Sequence, residues 1–248
     1  MLAYKILGEG NPTCIFLHGF LESSSMWDYL PLDQISSTSV CIDLPGHGES
    51  MFSGFMQLEN GVEELAFAVL ELLEYLEIRS FNIVGHSLGG YVALEIKRLN
   101  EACKKVILLN SNYWADSPEK RLERERVASL AKTSKSLFIN KAIPSLFTDA
   151  ELNKKDIAKL VNTALDMTPE AISAISIAMS FRKNWQVFKP LKDFYIIHGL
   201  LDKMYLEDQP SEMLFSKEQV FKIENVGHMS YIENPIAVSR VLQAILSN

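Results

Sequence analysis

The chain has 248 residues, of which 48% are hydrophobic and 10% aromatic, and its formal net charge is −7. This length is typical of one large α/β domain, and the composition excludes a disordered chain. The acidic balance argues against nucleic-acid binding. The three cysteines, Cys14, Cys41 and Cys103, are odd in number and widely spaced. They are therefore predicted to be buried thiols of a reducing compartment.

The sequence has no feature of a secreted or membrane-spanning protein. Residues 1–8 lack a basic region followed by a long apolar run. No stretch reaches the roughly 18 apolar residues that a membrane span requires. We therefore expect a cytoplasmic protein without a membrane span, whose oligomeric state the sequence leaves open.

Short apolar runs alternate with helical patterns along the chain. The runs predicted as strands are 2–7, 14–17, 39–42, 81–84, 106–109, 194–197 and 220–223. The segments predicted as helices are 61–76, 91–99 and 235–246, the last with Asn234 as its N-cap. This alternation predicts an α/β fold with a mostly parallel central sheet and helices on both faces.

Residues 112–186 interrupt this alternation, because they show helical patterns and no strand. They hold twelve Lys/Arg and nine Asp/Glu, whereas the rest of the chain holds twelve and twenty-two. Ligands of such sheets bind beyond the carboxyl ends of the strands. We therefore predict a helical cap, or lid, at 112–186, inserted into a core made of 1–111 and 187–248. Extra packing on the sheet edge is the alternative.

The strongest motif is Gly85-His86-Ser87-Leu88-Gly89, which follows the predicted strand 81–84 and precedes a helix. In this strand–turn–helix context a serine lies on a sharp turn, with its hydroxyl above the sheet. The glycines leave room for the tight backbone. The motif predicts Ser87 as a catalytic nucleophile, and a chance match is the alternative.

A serine hydroxyl is a weak nucleophile without a base. His228 stands after the last predicted strand and before the last helix. A loop at that end of a strand can present an imidazole to Ser87. The position favours His228 as the catalytic base over a surface histidine.

The base needs a carboxylate that holds its tautomer. Asp202 follows the predicted strand 194–197 and is the preferred candidate. Asp116, after the strand 106–109, is the second candidate, and Glu207 and Asp208 lie further past the end of the strand 194–197. With Asp202, the order serine, acid, histidine is that of α/β-hydrolases.

A tetrahedral intermediate needs backbone donors for its oxyanion. The N–H of Leu88 lies at a predicted helix N-terminus, and the N–H of Phe20 lies in the loop after the strand 14–17. We predict these two groups as the oxyanion hole.

The other four histidines have structural interpretations. His18 and His47 are expected to hold their own turns, and His86 and His198 to be packed at strand ends. None pairs with a second histidine at metal-ligand spacing. The sequence therefore predicts no metal and no cofactor.

Taken together, these motifs resemble the α/β-hydrolase fold family, in its serine-nucleophile, esterase-like branch with a helical cap. The motifs that carry the resemblance are His18-Gly19-Phe20, Asp43-Leu44-Pro45-Gly46-His47-Gly48-Glu49-Ser50, Gly85-His86-Ser87-Leu88-Gly89-Gly90, His198-Gly199-Leu200-Leu201-Asp202 and Gly227-His228. The resemblance implies a sheet of about seven or eight strands with a cap after the sixth. It also implies Ser87 as nucleophile, Asp202 as acid and His228 as base.

The expected function is cleavage of an ester-like bond in a small-molecule substrate through an acyl-enzyme on Ser87. The alternatives are a carbon–carbon bond hydrolase or a menaquinone-pathway-like lyase with the same triad. Enzymes of the latter kind usually carry an arginine after the glycine pair, where this chain has Tyr91. A non-catalytic scaffold on the same fold is a further alternative, which the complete triad disfavours.

The substrate is expected to be small to medium in size and partly apolar. The residues predicted to line its pocket are Trp27, Trp114, Met179 and Met229. Basic residues of the cap, Lys120-Arg121, Arg124, Arg126 and Lys154-Lys155, are more typical of a solvated helix face. Attraction of an anionic substrate is the second interpretation of these residues.

Overall fold

The computed structural model describes residues 1–52, 60–185, 192–206 and 215–247. Within them, seven strands form one sheet in the order β1-β3-β2-β4-β5-β6-β7. The strands, β1 to β7 in chain order, are Tyr4–Gly8, Thr13–Leu17, Thr38–Ile42, Phe81–His86, Cys103–Leu109, Phe194–Gly199 and Val220–Ile223.

Six of the seven strands run parallel, and β1 pairs antiparallel with β3. The inner strand β2 is buried along its whole length, as expected for a parallel sheet covered on both faces. The α/β class and the mostly parallel sheet are confirmed. Because β4 lies at the centre of the sheet, the turn that follows it lies over the middle of the molecule.

Nine α-helices are present in the described part of the chain. In chain order, α1 to α9 are Leu32–Ile35, Glu63–Tyr75, Leu88–Leu99, Pro118–Ala142, Lys154–Asp166, Pro169–Ser180, Lys203–Leu206, Ser230–Glu233 and Pro235–Leu246. As predicted, Asn234 caps α9, since its side chain accepts the N–H of Ala237 at 3.1 Å.

Helices α4, α5 and α6 form a helical insertion between β5 and β6, and α4 packs mainly against α6. Side chains cap α4 and α6 at their N-termini, where Ser117 accepts the N–H of Lys120 and Thr168 that of Ala171. The implied position after the sixth strand is wrong for this chain. The insertion follows the fifth strand, because a single strand, β1, precedes β2. The predicted boundary at 186 and 187 lies outside the described residues.

The core lies on both faces of the sheet and contains all three cysteines as free, buried thiols. Burial raises the pKa of Cys41 and that of Cys103 to about 12, and raises the pKa of Cys14 as well. These thiols are therefore poor nucleophiles at neutral pH. No helix in the described ranges is long and apolar enough to cross a bilayer.

Candidate active site

Ser87 lies on the turn between β4 and α3, with φ 48° and ψ −113°. A positive φ at a residue other than glycine costs about 1–3 kcal/mol and persists only where the surroundings hold it. The backbone N–H of Ser87 donates to Leu109 O at 3.1 Å, and Ser111 Oγ donates to Ser87 O at 2.7 Å. The strained conformation is thus held from β5 and the residues that follow it.

The glycines around Ser87 are required by close backbone contacts. A Cβ atom at Gly85 would lie 2.3 Å from Gly89 O, and one at Gly89 would lie 2.3 Å from Leu17 O. Both distances are far below van der Waals contact. Only glycine therefore allows α3 to start so close to β2 and β4.

Asp202 and His228 form a buried hydrogen-bonded pair. Asp202 Oδ2 lies 2.9 Å from His228 Nδ1, and the two residues are 1% and 6% exposed. Asp202 also accepts from Asn110 Nδ2 at 2.9 Å and from Met204 N at 3.0 Å. Because an ionised carboxylate only accepts, Nδ1 of His228 carries the proton and Nε2 is left as an acceptor.

The two groups shift each other's titration. Burial acts to raise the pKa of Asp202, but the charge of His228 and three hydrogen bonds outweigh it and lower this pKa. Burial acts to lower the pKa of His228, but the Asp202 charge and hydrogen bond, helped by the Glu22 charge, raise it above its ordinary value of 6.5. Lys120 opposes this rise.

Ser87, His228 and Phe20 line one cavity of about 430 Å³. No hydrogen bond joins the hydroxyl of Ser87 to the ring of His228 in the part of the chain that the structure describes. Catalytic hydrogen bonds are often long without substrate and tighten in the complex. The structure therefore places the candidate nucleophile and the candidate base in one cavity, without a hydrogen bond between the Ser87 hydroxyl and the His228 ring among the described residues.

The two N–H groups predicted as oxyanion donors belong to Leu88 and Phe20. Leu88 is the residue after Ser87, and Phe20 is in the wall of the cavity. Leu88 is the first residue of α3, whose dipole places partial positive charge at its N–H. Phe20 follows β2 and lines the cavity. Among the described residues, neither N–H donates to another protein group, so both are available to an oxyanion.

Asn110 is a residue of the site that the sequence reasoning missed. It follows β5 with φ 44°, donates to Asp202 Oδ2 and to Gly227 O at 3.0 Å, and accepts from Ser230 Oγ. It thus connects Asp202 to the loop of His228. The signal in the sequence that could have indicated Asn110 is a polar residue directly after a predicted parallel strand.

Glu22 and His86 form a second buried carboxylate–histidine pair, 4% and 1% exposed. Glu22 Oε2 lies 2.9 Å from His86 Nδ1 and accepts Gly19 N at 2.6 Å, while Tyr231 OH donates to Oε1 at 3.1 Å. The second ring nitrogen of His86 lies 3.1 Å from the backbone O of His228. His86 is packed, as expected, but it also connects two loops of the site.

His18 and His47 hold their own turns. His18 Nε2 accepts Leu44 N at 2.9 Å and its Nδ1 donates to Gly19 O at 2.8 Å. His47 Nδ1 lies 3.1 Å from Pro45 O. The local contacts with Gly19 and Pro45 are those expected from the sequence, whereas the bond of His18 to Leu44 joins the loop after β2 to the loop after β3.

Asp116, the second candidate for the acid, has no hydrogen bond to His228 in the described chain and binds two arginines. Its Oδ2 accepts Arg124 Nε at 3.1 Å, and its Oδ1 lies 2.7 Å from Arg182 Nη1, an ion-pair contact without hydrogen-bond alignment. The Arg182 guanidinium also stacks on Tyr91, 4.1 Å from the ring centre. The remaining acid candidates, Glu207 and Asp208, lie outside the described residues.

Of the four residues predicted to line the pocket, one borders the cavity that holds Ser87 and three do not. Met179 lines the cavity that holds Ser87. Trp27 is buried in the core against Phe16, with ring centres 5.1 Å apart. Trp114 packs on Tyr113, with ring centres 5.2 Å apart, and Met229 is buried at the start of α8. Their side chains point into packed regions, a direction that residue type alone does not reveal.

One face of α4 borders the cavity through Lys120, Glu123, Arg124 and Val127, at helical spacings of i, i+3, i+4 and i+7. The basic residues predicted as a solvated face therefore divide into two groups. Lys120 and Arg124 line the cavity, and the exposed ones are Arg121, Arg126, Lys154 and Lys155.

The parallel sheet with a turn-borne serine after its central strand is typical of α/β hydrolases, and comparison with known proteins agrees. The chain belongs to the alpha/beta hydrolase fold family, whose model matches residues 12–235.

Individual relatives are distant. The chain is 24% identical over 246 residues to the 2-succinyl-6-hydroxy-2,4-cyclohexadiene-1-carboxylate synthase of Enterobacter sp. (strain 638), covering 96% of this chain and 92% of the relative. A 98-residue stretch is 35% identical to the dihydrolipoyllysine-residue acetyltransferase component of the acetoin cleaving system of Pseudomonas putida, covering 39% of this chain and a quarter (25%) of that relative. A thermophilic esterase from Thermogutta terrifontis has a similar structure, with TM-score 0.86, 24% identity, and 99% and 93% coverage.

Proposed function

We propose that the chain is a serine hydrolase that cleaves an ester-like bond through an acyl-enzyme on Ser87. One observation carries the proposal. His228, which is hydrogen-bonded to Asp202, lines the cavity that also holds Ser87 on its strained turn. A carboxylate, an imidazole and a hydroxyl in this order provide the groups for acyl transfer.

In the first half of the reaction, Ser87 Oγ attacks the carbonyl carbon and its proton passes to Nε2 of His228. The tetrahedral intermediate collapses, and Nε2 returns the proton to the leaving alcohol. In the second half, His228 takes a proton from water as the water attacks the acyl group. His228 then returns a proton to Ser87 Oγ as the carboxylic acid product leaves. Asp202 stays ionised and holds the imidazolium in place. Water is the only co-reactant, and no cofactor takes part.

The oxyanion of both intermediates is stabilised by the N–H groups of Leu88 and Phe20. Neither group has a competing acceptor in the described chain, so each is free for the reacting oxygen. Loss of one such donor costs about 2.7–4 kcal/mol of transition-state stabilisation.

The helical insertion acts as the cap of the site and shapes the substrate pocket. It contributes Phe138, Leu146 and Met179 to the wall of the cavity of about 430 Å³. This volume fits a small to medium substrate with an apolar part. Lys120 and Arg124 add positive charge on one side, which favours a substrate with an anionic group there.

Hydrolysis of a p-nitrophenyl ester by the Ser87→Ala variant tests the proposal. We expect the parent to hydrolyse the ester and the variant to lose at least about 10³-fold in kcat. Full activity of Ser87→Ala would contradict the proposal.

A lyase or carbon–carbon bond hydrolase with the same triad is the second candidate. The similarity to a cyclohexadiene-carboxylate synthase over 96% of the chain favours it. Product analysis with a panel of esters and vinylogous diketones separates the two candidates. Turnover of the diketones alone would favour the second.

A further inference from the structure

The carboxylate of Glu22 joins segments that carry all three proposed catalytic functions. It accepts the N–H of Gly19, the residue before the oxyanion donor Phe20. It contacts the ring of His86, the residue before Ser87. Through that ring it reaches the backbone of His228. These contacts join positions 64 and 142 residues apart in the chain.

The hydrogen-bond partners determine where the protons of this cluster lie. The backbone O of His228 can only accept, so Nε2 of His86 carries a proton. Glu22 Oε2 already accepts the N–H of Gly19 at 2.6 Å, and an ionised carboxylate can only accept from Nδ1 as well. For an ionised Glu22, both ring nitrogens of His86 therefore carry a proton, and the 2.9 Å contact between Glu22 Oε2 and His86 Nδ1 is an ion pair.

The titration of Glu22 supports this charge state. Burial alone would raise the pKa of Glu22, but the charge and hydrogen bond of His86, together with the Gly19 N–H, lower it. A fully paired and hydrogen-bonded ion pair is the form in which a buried carboxylate stays ionised.

We propose that Glu22 and His86 are positioning residues, whose buried ion pair holds the oxyanion loop and the His228 loop in register with Ser87. The proposal rests on the proposed function, because it concerns groups that act in that reaction. Its physical reason is that hydrogen bonds to a charged partner are short and directional. Misplacement of a reacting group by about 1 Å can cost about 100-fold in rate.

The first test compares Glu22→Gln with the parent on a p-nitrophenyl ester. Glutamine keeps one oxygen, which can accept the N–H of Gly19, and its NH2 can donate to the hydroxyl oxygen of Tyr231, but the charge that His86 requires is removed. We expect kcat to fall about tenfold to 100-fold, with KM changed less than about twofold, because oxyanion stabilisation is made only in the transition state. The variant His86→Gln should lose a similar factor.

A double-mutant cycle and a matched control complete this test. If the two residues act as one unit, Glu22→Gln/His86→Gln loses no more than the stronger single variant. The control is Glu95→Gln, since Glu95 is equally buried and paired with Arg98 at 2.8 Å, but lies about two helical turns along α3 from Ser87. Unchanged kcat in Glu22→Gln, multiplied losses in the double variant, or an equal kcat loss in Glu95→Gln would overturn the proposal.

A spectroscopic measurement tests the ion pair in the parent protein, without a variant that must fold. Ring-nitrogen NMR shifts report the protons of each histidine. We expect both nitrogens of His86 to be protonated at neutral pH, whereas one bare nitrogen would overturn the pair. If the parent hydrolyses no ester, the proposed function fails, but the NMR result still decides whether the ion pair exists.

Discussion

His228 Nδ1 donates a 2.9 Å hydrogen bond to Asp202 Oδ2, with both side chains buried. This bond fixes the tautomer of the imidazole. His228 also lines the cavity where Ser87 lies, and Nε2 is the ring nitrogen that this bond leaves without a proton. The expected kinetics of several variants follow from this contact and from the groups around it.

Replacement of Asp202 by asparagine should nearly abolish activity. An amide can donate to Nδ1, which stabilises the wrong tautomer, and it cannot stabilise the imidazolium. We expect kcat on a p-nitrophenyl ester to fall about 10⁴-fold while the fold is retained. Steady-state kinetics and circular dichroism check this outcome.

The matched control is Asp116→Asn, at the second candidate for the acid. Asp116 contacts Arg124 and Arg182 rather than the histidine. We expect it to lower stability and to cost far less in kcat than Asp202→Asn. The reverse order would transfer the acid role to Asp116.

The pH dependence of kcat/KM should report His228. The base acts in its neutral form, so activity rises as the ring loses its proton. Asp202 and Glu22 raise the pKa of His228 above 6.5, against burial and the charge of Lys120. The His86 ring also faces it, with ring centres 5.1 Å apart, and the positive charge proposed for His86 opposes the rise. We therefore expect the acid limb of the parent profile to lie above pH 6.5, and a limb below that value would contradict this account.

Lys120 should discriminate between anionic and neutral esters. It lines the cavity, and its ammonium donates only to Glu123 among the described side chains, at 2.8 Å. In Lys120→Gln, we expect the ratio of kcat/KM for mono-p-nitrophenyl adipate to that for p-nitrophenyl hexanoate to fall about threefold to tenfold at low salt. Added salt should diminish the difference in the parent. The exposed Lys132→Gln on the same helix is the control, and an equal change there would contradict a local effect.

Asn110 should contribute to stability as well as to the site. Asn110→Ala leaves Gly227 O and Ser230 Oγ without a partner and removes one donor to Asp202. We expect a loss of about 1–3 kcal/mol in the free energy of unfolding. Urea unfolding with an unchanged slope measures it. The exposed Asn140→Ala should stay within about 0.5 kcal/mol, and a similar change in both variants would refute the assignment.

The sheet could be predicted because each parallel strand is a short apolar run. The predicted positions of the strand ends were less accurate where glycine or polar residues continue a strand. β4 extends through Gly85 and His86, and β5 begins at Cys103, ahead of two lysines. Helix α3 starts at Leu88, before the Gly89-Gly90 pair that is locally typical of a turn. Tertiary packing against β2 and Ser111 holds these glycines in the helix.

The proximity of the candidate residues could be predicted where a local motif follows a strand, since Ser87 and His228 line one cavity and Asp202 bonds His228. Glu22 and Asn110 lack such a motif, because their roles depend on partners far away in the chain. The bond from Tyr231 to Glu22 spans 209 residues, and that from Asn110 to Asp202 spans 92. Sequence patterns also do not report which way a buried tryptophan such as Trp27 points.

Reaction with a fluorophosphonate, followed by intact mass and peptide mapping, tests most directly whether His228 activates Ser87. We expect one adduct on Ser87, formed at least about 10³-fold more slowly in His228→Ala. A protein that forms no adduct, or an adduct at Ser87 whose rate is unaffected by His228→Ala, would contradict the account.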